Sequence, residues 1–359
     1  MVSYGGTCGL TLDGVECWGL PSSFYPGSPS GKGVEIAVGG QHTLVVRSDG
    51  SLEGFGNDQN GCLGGGPGII DLGGLKAVAV AAGYHHTVVL MQDGSVRAFG
   101  YNAYGELGLG DTANRGDDAD EMGVNLPPVA LGENLVAVAV AAGQSHTCVI
   151  VNTGALKCAG HSTAFGFSGS SNNLLVDVDL SGISAVAVSL GSSHTVVLLA
   201  DGSVRAFGYC DHGRCGSGST SSATSDSSAV DLGGGRAKAV AAGGSHTVVL
   251  MQDGSVRAFG NNDNGQLGLG DSNDRGDNSG EMGASLPPVD LGGLRAEAIS
   301  AGSKHTCASL EDRTVRCWGK NDDGGLGSTS FSSRGSQPGQ MGSSIPPVPL
   351  SSPLLKCGV

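Results

Sequence analysis

Short apolar runs recur along the chain, each bounded by Gly, Asn, Asp or Ser. AVAVAA at 77–82, TVVLM at 87–91 and VRAFG at 96–100 form one set, and AVAA, TVVLM and VRAFG at 239–242, 247–251 and 256–260 form another. Runs of this length, rich in β-branched residues and punctuated by turn formers, predict strands. No stretch sustains a 3.6-residue apolar period. The longest runs, such as Ala77 to Ala82, fall far short of the roughly 20 residues that span a bilayer. The expected class is all-β, with no membrane insertion.

The runs belong to a repeat. Its unit is a small-residue strand, a Gly turn, His-Thr, an apolar strand, Asp-Gly, a further strand, and Phe-Gly or Trp-Gly. It reads AVAVAAGYHHTVVLMQDGSVRAFG at Ala77–Gly100 and AVAAGGSHTVVLMQDGSVRAFG at Ala239–Gly260, with a truncated first copy, SYGGTCGLTLDGVECWG, at Ser3–Gly19. The Thr after the His marks seven copies: Thr7, Thr43, Thr87, Thr147, Thr195, Thr247 and Thr306. The C-terminal IPPVPLSSPLLKCGV (Ile345–Val359) matches LPPVDLGGLRAEAIS (Leu286–Ser300), the lead-in to the last complete copy. The chain therefore ends on the strand its first copy lacks. The expected architecture is one seven-bladed β-propeller over 1–359, closed by a C-terminal strand that completes the N-terminal blade.

The turn residues have physical reasons. Asp-Gly at 93–94, 201–202 and 253–254 supplies the positive φ of a tight hairpin. The recurrent His42, His86, His146, His194, His246 and His305 invite a metal or catalytic reading. Spread once per copy they cannot converge, so each is expected to tie its own turn to a neighbouring backbone group.

The repeated AGxxHT…DGxVxxFG/WG core resembles the RCC1 repeat family, the regulator of chromosome condensation type, across essentially the whole chain. The resemblance implies a seven-bladed propeller with a varied role: nucleotide exchange on a small GTPase, ultraviolet sensing or enzyme inhibition. No basic tail or recognisable wedge of the exchange factor stands here. The sensor's clustered tryptophans are missing too, since only Trp18 and Trp318 occur, at blade-core positions. An aromatic content of 4% offers little of an aromatic binding face.

Charge narrows the partner. With 19 basic and 33 acidic residues the formal net charge is −14, and the basic residues are scattered. That disfavours direct nucleic-acid binding, which needs clustered cations, and attraction to an anionic membrane. Three of the cysteine pairs fall at matching places in three copies: Cys8 with Cys17, Cys148 with Cys158, and Cys307 with Cys317. Other copies hold Val and Ala at both positions, as at Val88 with Ala98. This joint exchange predicts cross-strand disulfides. Cys210 and Cys215 are expected to close a fourth loop, with Asp211, His212 and Cys215 as a partial metal site in the alternative. Cys62 and Cys357 are left unpaired. Disulfides predict an oxidising compartment, most simply outside the cell, although the N-terminus shows no signal-peptide pattern.

Two long loops, from Asn102 and Asn262, match without a gap at an offset of 160 residues. They concentrate Asp111, Asp117, Asp118, Asp120 and Glu121, then Asp271, Asp274, Asp277 and Glu281. Carboxylates in a Gly-rich loop suit Ca²⁺, but EF-hand spacing is absent and the third copy carries Ser336 and Gln340 in place of Asp277 and Glu281. The preferred reading is a solvated acidic turn without a cofactor. The Arg-Gly-Asp in each loop (Arg115–Asp117, Arg275–Asp277) reads as an Arg–carboxylate pair around a Gly turn rather than an adhesion motif. No nucleophile has a placed base, so no catalytic residues are assigned. The expected function is a non-enzymatic, disulfide-stiffened propeller that presents loops to a partner protein or an extracellular assembly. The alternative is an intracellular nucleotide-exchange factor or regulatory scaffold.

Overall fold

A computed structural model describes residues 6–11, 14–19, 33–169, 171–222, 228–328 and 330–351, with the backbone of 354–358. Among them there are seven antiparallel sheets. Blade 3 shows the plan: an inner strand Ala77–Ala82, a middle strand His86–Met91 and an outer strand Val96–Gly100. The middle strands start at His42, His146, His194, His246 and His305 in blades 2, 4, 5, 6 and 7. In blade 1 the chain's first strand, Thr7–Thr11, lies between Gly14–Trp18 and the C-terminal strand Leu354–Gly358. The two ends of the chain thus share a sheet, as the sequence leads one to expect. The inner strands touch their counterparts in neighbouring blades, which places them around the axis.

The core lies between blades rather than within them. Leu44, Val46 and Leu52 of blade 2 pack on Val80, Val89 and Met91 of blade 3, and the same kind of cluster recurs at each junction. At the last junction Cys307, Val315 and Cys317 of blade 7 meet Trp18 of blade 1. Burying such side chains is worth about 1.5–3 kcal/mol each, which favours adjacent blades staying packed.

A polar contact crosses the same junctions. The imidazole Nε2 of each recurrent His reaches the Thr hydroxyl of the next blade, not a backbone group as the sequence suggests. The distances are His42–Thr87 3.1 Å, His86–Thr147 2.9 Å, His146–Thr195 3.2 Å, His194–Thr247 3.1 Å, His246–Thr306 2.9 Å and His305–Thr7 2.8 Å. At five of these junctions the Thr hydroxyl donates its own proton to a carbonyl of the preceding blade, at Cys62, Ala164, Arg214, Gln266 or Gly325. Its oxygen can then only accept, so Nε2 must carry the imidazole proton. At the junction from blade 1 to blade 2, Gly6 stands where the His would be.

The Gly of AGxxHT makes room for this ring. A methyl group at Gly83, Gly143, Gly191 or Gly243 would sit within 3 Å of the blade's own imidazole and of a carbonyl in the next blade. Three of those carbonyls also accept backbone N–H groups across the junction, as in Tyr84 N to Gly143 O (3.2 Å) and Gln144 N to Gly191 O (3.3 Å).

Burial holds the six imidazoles neutral. It lowers their pKa to about 3 at His42, His86, His146 and His246, to about 4 at His305, and well below the usual value at His194. In the unfolded chain the same groups titrate near 6.5. The unfolded state therefore binds more protons as pH falls below that value. This stability is fully present above about pH 6.5 and is lost toward the folded pKa.

Two outcomes are expected. Thr247→Val removes the acceptor of His194 and the donor to Arg214 O. Denaturant unfolding should show a loss of about 2–4 kcal/mol, with Thr247→Ser restoring most of it. An unchanged midpoint in the Val variant would mean that the contact contributes nothing. Between pH 6.5 and 4.5, each buried imidazole should steepen the fall in stability by up to about 1.4 kcal/mol per pH unit. Proton uptake on unfolding at pH 5 should accordingly drop by about one in His246→Gln, and an equal uptake would contradict the assignment.

Candidate interaction face

Each AGxxH turn is closed by the Gly N–H donating to the His carbonyl, as in Gly83 N to His86 O at 2.8 Å. The two residues between them are free to vary. The second accepts, through its carbonyl, the N–H of the residue that follows the closing Gly. These bonds join Tyr101 to His85, His161 to Ser145, Tyr209 to Ser193, Asn261 to Ser245 and Lys320 to Lys304, at 2.8 or 2.9 Å. Backbone bonds thus gather three variable side chains at one end of each of these blades, opposite the Asp-Gly hairpins.

The triplets differ around the ring. Blade 3 presents Tyr84, His85 and Tyr101, blade 4 presents Gln144, Ser145 and His161, and blade 5 presents Ser192, Ser193 and Tyr209. Blade 7 presents Ser303, Lys304 and Lys320. Tyr84 and His85 meet edge to face at 4.4 Å, His85 and Tyr101 at 6.4 Å, and Tyr104 and His161 at 5.2 Å. Tyr104 is 41% exposed and Tyr209 50%. All four tyrosines among the described residues lie in this sector, whereas Phe99, Phe165, Phe207, Phe259 and Trp318 are buried. The low aromatic content therefore concealed an aromatic face. A direct comparison of the two offset copies carries the signal, because Ala77–Asp111 and Ala237–Asp271 differ at positions 84, 85, 101, 104 and 106 and at only two others.

The residue five places after the closing Gly's successor sits behind the triplet. In blade 3 it is Glu106, fully buried, with Oε2 accepting the Tyr104 N–H (2.8 Å) and Oε1 without a donor. Burial pushes its carboxyl up to about 7. In blade 6 Gln266 uses both arms: Oε1 accepts the Asn264 N–H (2.9 Å) and Nε2 donates to Asn261 Oδ1 (2.6 Å). In blade 5 it is Arg214, also buried, paired with Asp211 and 5.7 Å from the Tyr209 ring centre.

The other side chains singled out in the sequence serve the scaffold. The sulfurs of Cys8 and Cys17, Cys148 and Cys158, and Cys307 and Cys317 meet at bonding distance across one register, with Cα separations of 4.0, 4.1 and 4.1 Å. Cys210 and Cys215 form a fourth such pair at 5.2 Å. The cross-strand pairs occupy the junction-facing sites that other blades fill with Val248 and Ala258 or Leu44 and Gly54, pairs of similar summed volume. Cys62 is a buried thiol whose pKa burial raises to about 12, and the Cys357 side chain lies outside the described residues.

The loop carboxylates are used locally. Asp111 and Asp271 pair with Arg115 (2.6 Å) and Arg275 (2.7 Å), Asp117 with Asn114, and Asp274 with His212 (2.8 Å). Glu121 accepts the N–H groups of Gly116 and Asp118, and Glu281 those of Gly276 and Asn278. Gln340 does the same with Gly335, Ser336 and Gln337, so an acceptor oxygen is what this turn requires, not a charge. Among the described residues no three or more His, Cys, Asp or Glu gather as metal donors; Asp211 lies 3.8 Å from His212 but pairs with Arg214, His212 pairs with Asp274, and Cys215 with Cys210. The Gly of each Arg-Gly-Asp is buried against the preceding blade, Gly116 on Gly61 and Gly276 on Gly213, while Asp117 stays exposed, so the Gly serves as the turn that seats the loop.

Comparison with known proteins agrees with this geometry. The family described as "Regulator of chromosome condensation (RCC1) repeat" matches residues 77–106, 185–214, 237–266 and 297–324, and a second description of the same repeat matches 93–150 and 253–309. The ultraviolet-B receptor UVR8 of Arabidopsis thaliana is 36% identical over 34% of this chain, and the match spans 26% of the receptor. The mouse serine/threonine-protein kinase Nek9 is 26% identical over 82% of this chain, again across 26% of its own length. The crystal structure of human WBSCR16 superposes with a TM-score of 0.74 at 18% identity, covering 96% of this chain and 93% of that one. Yeast RCC1 (Prp20), solved bound to Kap60, gives 0.68 at 17% identity over 98% and 85%. In repeat, in register and in fold, the chain belongs to the RCC1 repeat family.

Proposed function

We propose that this protein is a non-enzymatic propeller that binds a partner protein through the tyrosine-bearing face of blades 3 to 5. The observation that carries the reading is the gathering of Tyr84, Tyr101, Tyr104 and Tyr209 at the one end where the scaffold tolerates variation. Tyrosine supplies large, rigid, amphipathic contact area at low entropic cost, which is why it is enriched where proteins meet. Four cysteine pairs at bonding distance support a disulfide-stiffened protein of an oxidising, extracellular compartment.

A second reading draws on the relatives. Yeast RCC1 has been solved with Kap60, and the X-linked retinitis pigmentosa GTPase regulator of Canis lupus familiaris is 33% identical over 34% of this chain. An intracellular regulatory scaffold or exchange factor of the RCC1 type is consistent with both.

Thiol chemistry separates the two. Native protein alkylated without reductant is expected to take label at no site other than Cys62 and Cys357, with the four pairs recovered as linked peptides. Labelling of all ten cysteines would overturn the oxidising compartment and make nucleotide release from a small GTPase the next assay. A photo-cross-linking residue in place of Tyr104 should capture the partner, whereas one in place of Gln252, at the opposite end of its blade, should not. Equal capture at both would contradict the face assignment.

A further inference from the structure

Blades 3 and 6 offer an internal comparison, because their loops turn alike, at Gly105 N to Asn102 O and Gly265 N to Asn262 O. Blade 5 matches them in spacing but not in backbone at His212, whose φ is +57°. In blade 5, Tyr209 has a cation on its ring, the guanidinium of Arg214, five residues on. In blade 6, Asn261 takes a hydrogen bond from Gln266 at that same place. Both are satisfied from within the chain. Blade 3 has the tyrosine of blade 5 without its cation. Tyr101 corresponds to Tyr209, and the residue five places on is Glu106, whose Oε1 is buried and has no donor.

We infer that Tyr101 and Tyr104, with the Glu106 carboxyl behind them, receive an arginine side chain of the partner protein. This rests on the tyrosine-bearing face being the partner surface. A guanidinium stacks on a phenol ring and is more weakly hydrated than an ammonium, so it enters a half-buried aromatic site at lower cost than lysine. The carboxyl, raised to about 7 by burial, is held ionised by an adjacent guanidinium and then supplies the opposite charge. The loop that continues from Glu106 exposes Asp117, Asp118 and Asp120, while Lys304 and Lys320 belong to blade 7, three blades further round. The exposed carboxylates that follow Glu106 in the chain favour a cation at blade 3 over one at blade 7.

The bland account is that the cluster is a packing variant of the blade 6 loop. That account leaves Tyr104 41% exposed and Glu106 Oε1 unpaired, in a copy whose twin shows how a Gln closes the site.

The test uses the full chain with ¹³C-labelled tyrosine rings and three probes: acetyl-Gly-Arg-Gly-amide, its citrulline analogue of the same shape without charge, and its lysine analogue. The arginine peptide is expected to shift the Tyr101 and Tyr104 resonances saturably and to leave Tyr209, already facing Arg214, nearly unmoved. The citrulline peptide should bind about tenfold more weakly, and Glu106→Gln should weaken the arginine peptide about fivefold. Equal binding of arginine and citrulline, no effect of Glu106→Gln, or lysine binding as tightly as arginine would each overturn the assignment. Tyr101→Asn and Tyr104→Asn introduce residues that the blade 6 copy already carries, so these variants should keep the parent melting temperature while losing the shifts. If the arginine peptide stays inert but the same two substitutions abolish partner cross-linking, the arginine assignment falls and the face assignment stands.

Discussion

The ring depends on a neutral imidazole that donates across a blade junction to a threonine hydroxyl. At five junctions the hydroxyl returns its proton to the preceding blade, so these are bound in both directions by three polar groups that would otherwise be buried alone. Leaving even one of them unsatisfied costs about 1–3 kcal/mol, comparable to the loss of a packed methylene or more. The arrangement demands a Gly against the ring, a His at the first position of the middle strand and a Thr directly after it. These letters recur in six of the seven copies, and the first copy has Gly6 in place of the His. The residues between Gly and His are held by backbone bonds alone, which explains why they are the ones that vary.

That division of labour connects scaffold to function. Apolar clusters and His–Thr contacts fix the spacing of the blades, and the hairpin bonds fix where the variable side chains stand. The face can then change from Tyr84-His85 to Gly244-Ser245 while the middle and outer strands beneath stay identical. Cysteine pairs enter in the same economical way, replacing Val and Ala in a junction-facing site without disturbing the register. Carboxylates, numerous in the long loops, serve as acceptors for backbone amides and arginines, as Gln340 makes plain by doing the job uncharged.

Much of the fold was legible in the sequence because it is local or periodic. The strands, the Asp-Gly hairpins, the seven copies and the returning C-terminal strand all follow from turn chemistry and repetition. The cysteine pairing was legible too, since two positions that exchange together across copies must face each other. The destination of the imidazoles was not. His86 and Thr147 are brought together by the angle between blades, which no spacing within one copy reveals. The tyrosine-bearing face was missed for a related reason: Tyr84, Tyr104 and His161 come from separate turns and two blades, so a whole-chain aromatic percentage dilutes them to nothing. Glu106 hid among many carboxylates, and only its twin Gln266 shows what its position expects.

The central claim is most directly tested by ¹⁵N NMR of the histidine side chains in the native protein at neutral pH. Six imidazoles should appear as neutral rings protonated on Nε2, each with an Nε2–H protected from solvent exchange and a through-space contact to a threonine of the next blade. His85, His161 and His212 should be distinguishable by faster exchange. Rings protonated on Nδ1, or six imidazoles that exchange freely and titrate near 6.5, would contradict the account and leave the blades held by apolar packing and the backbone bonds across the junctions.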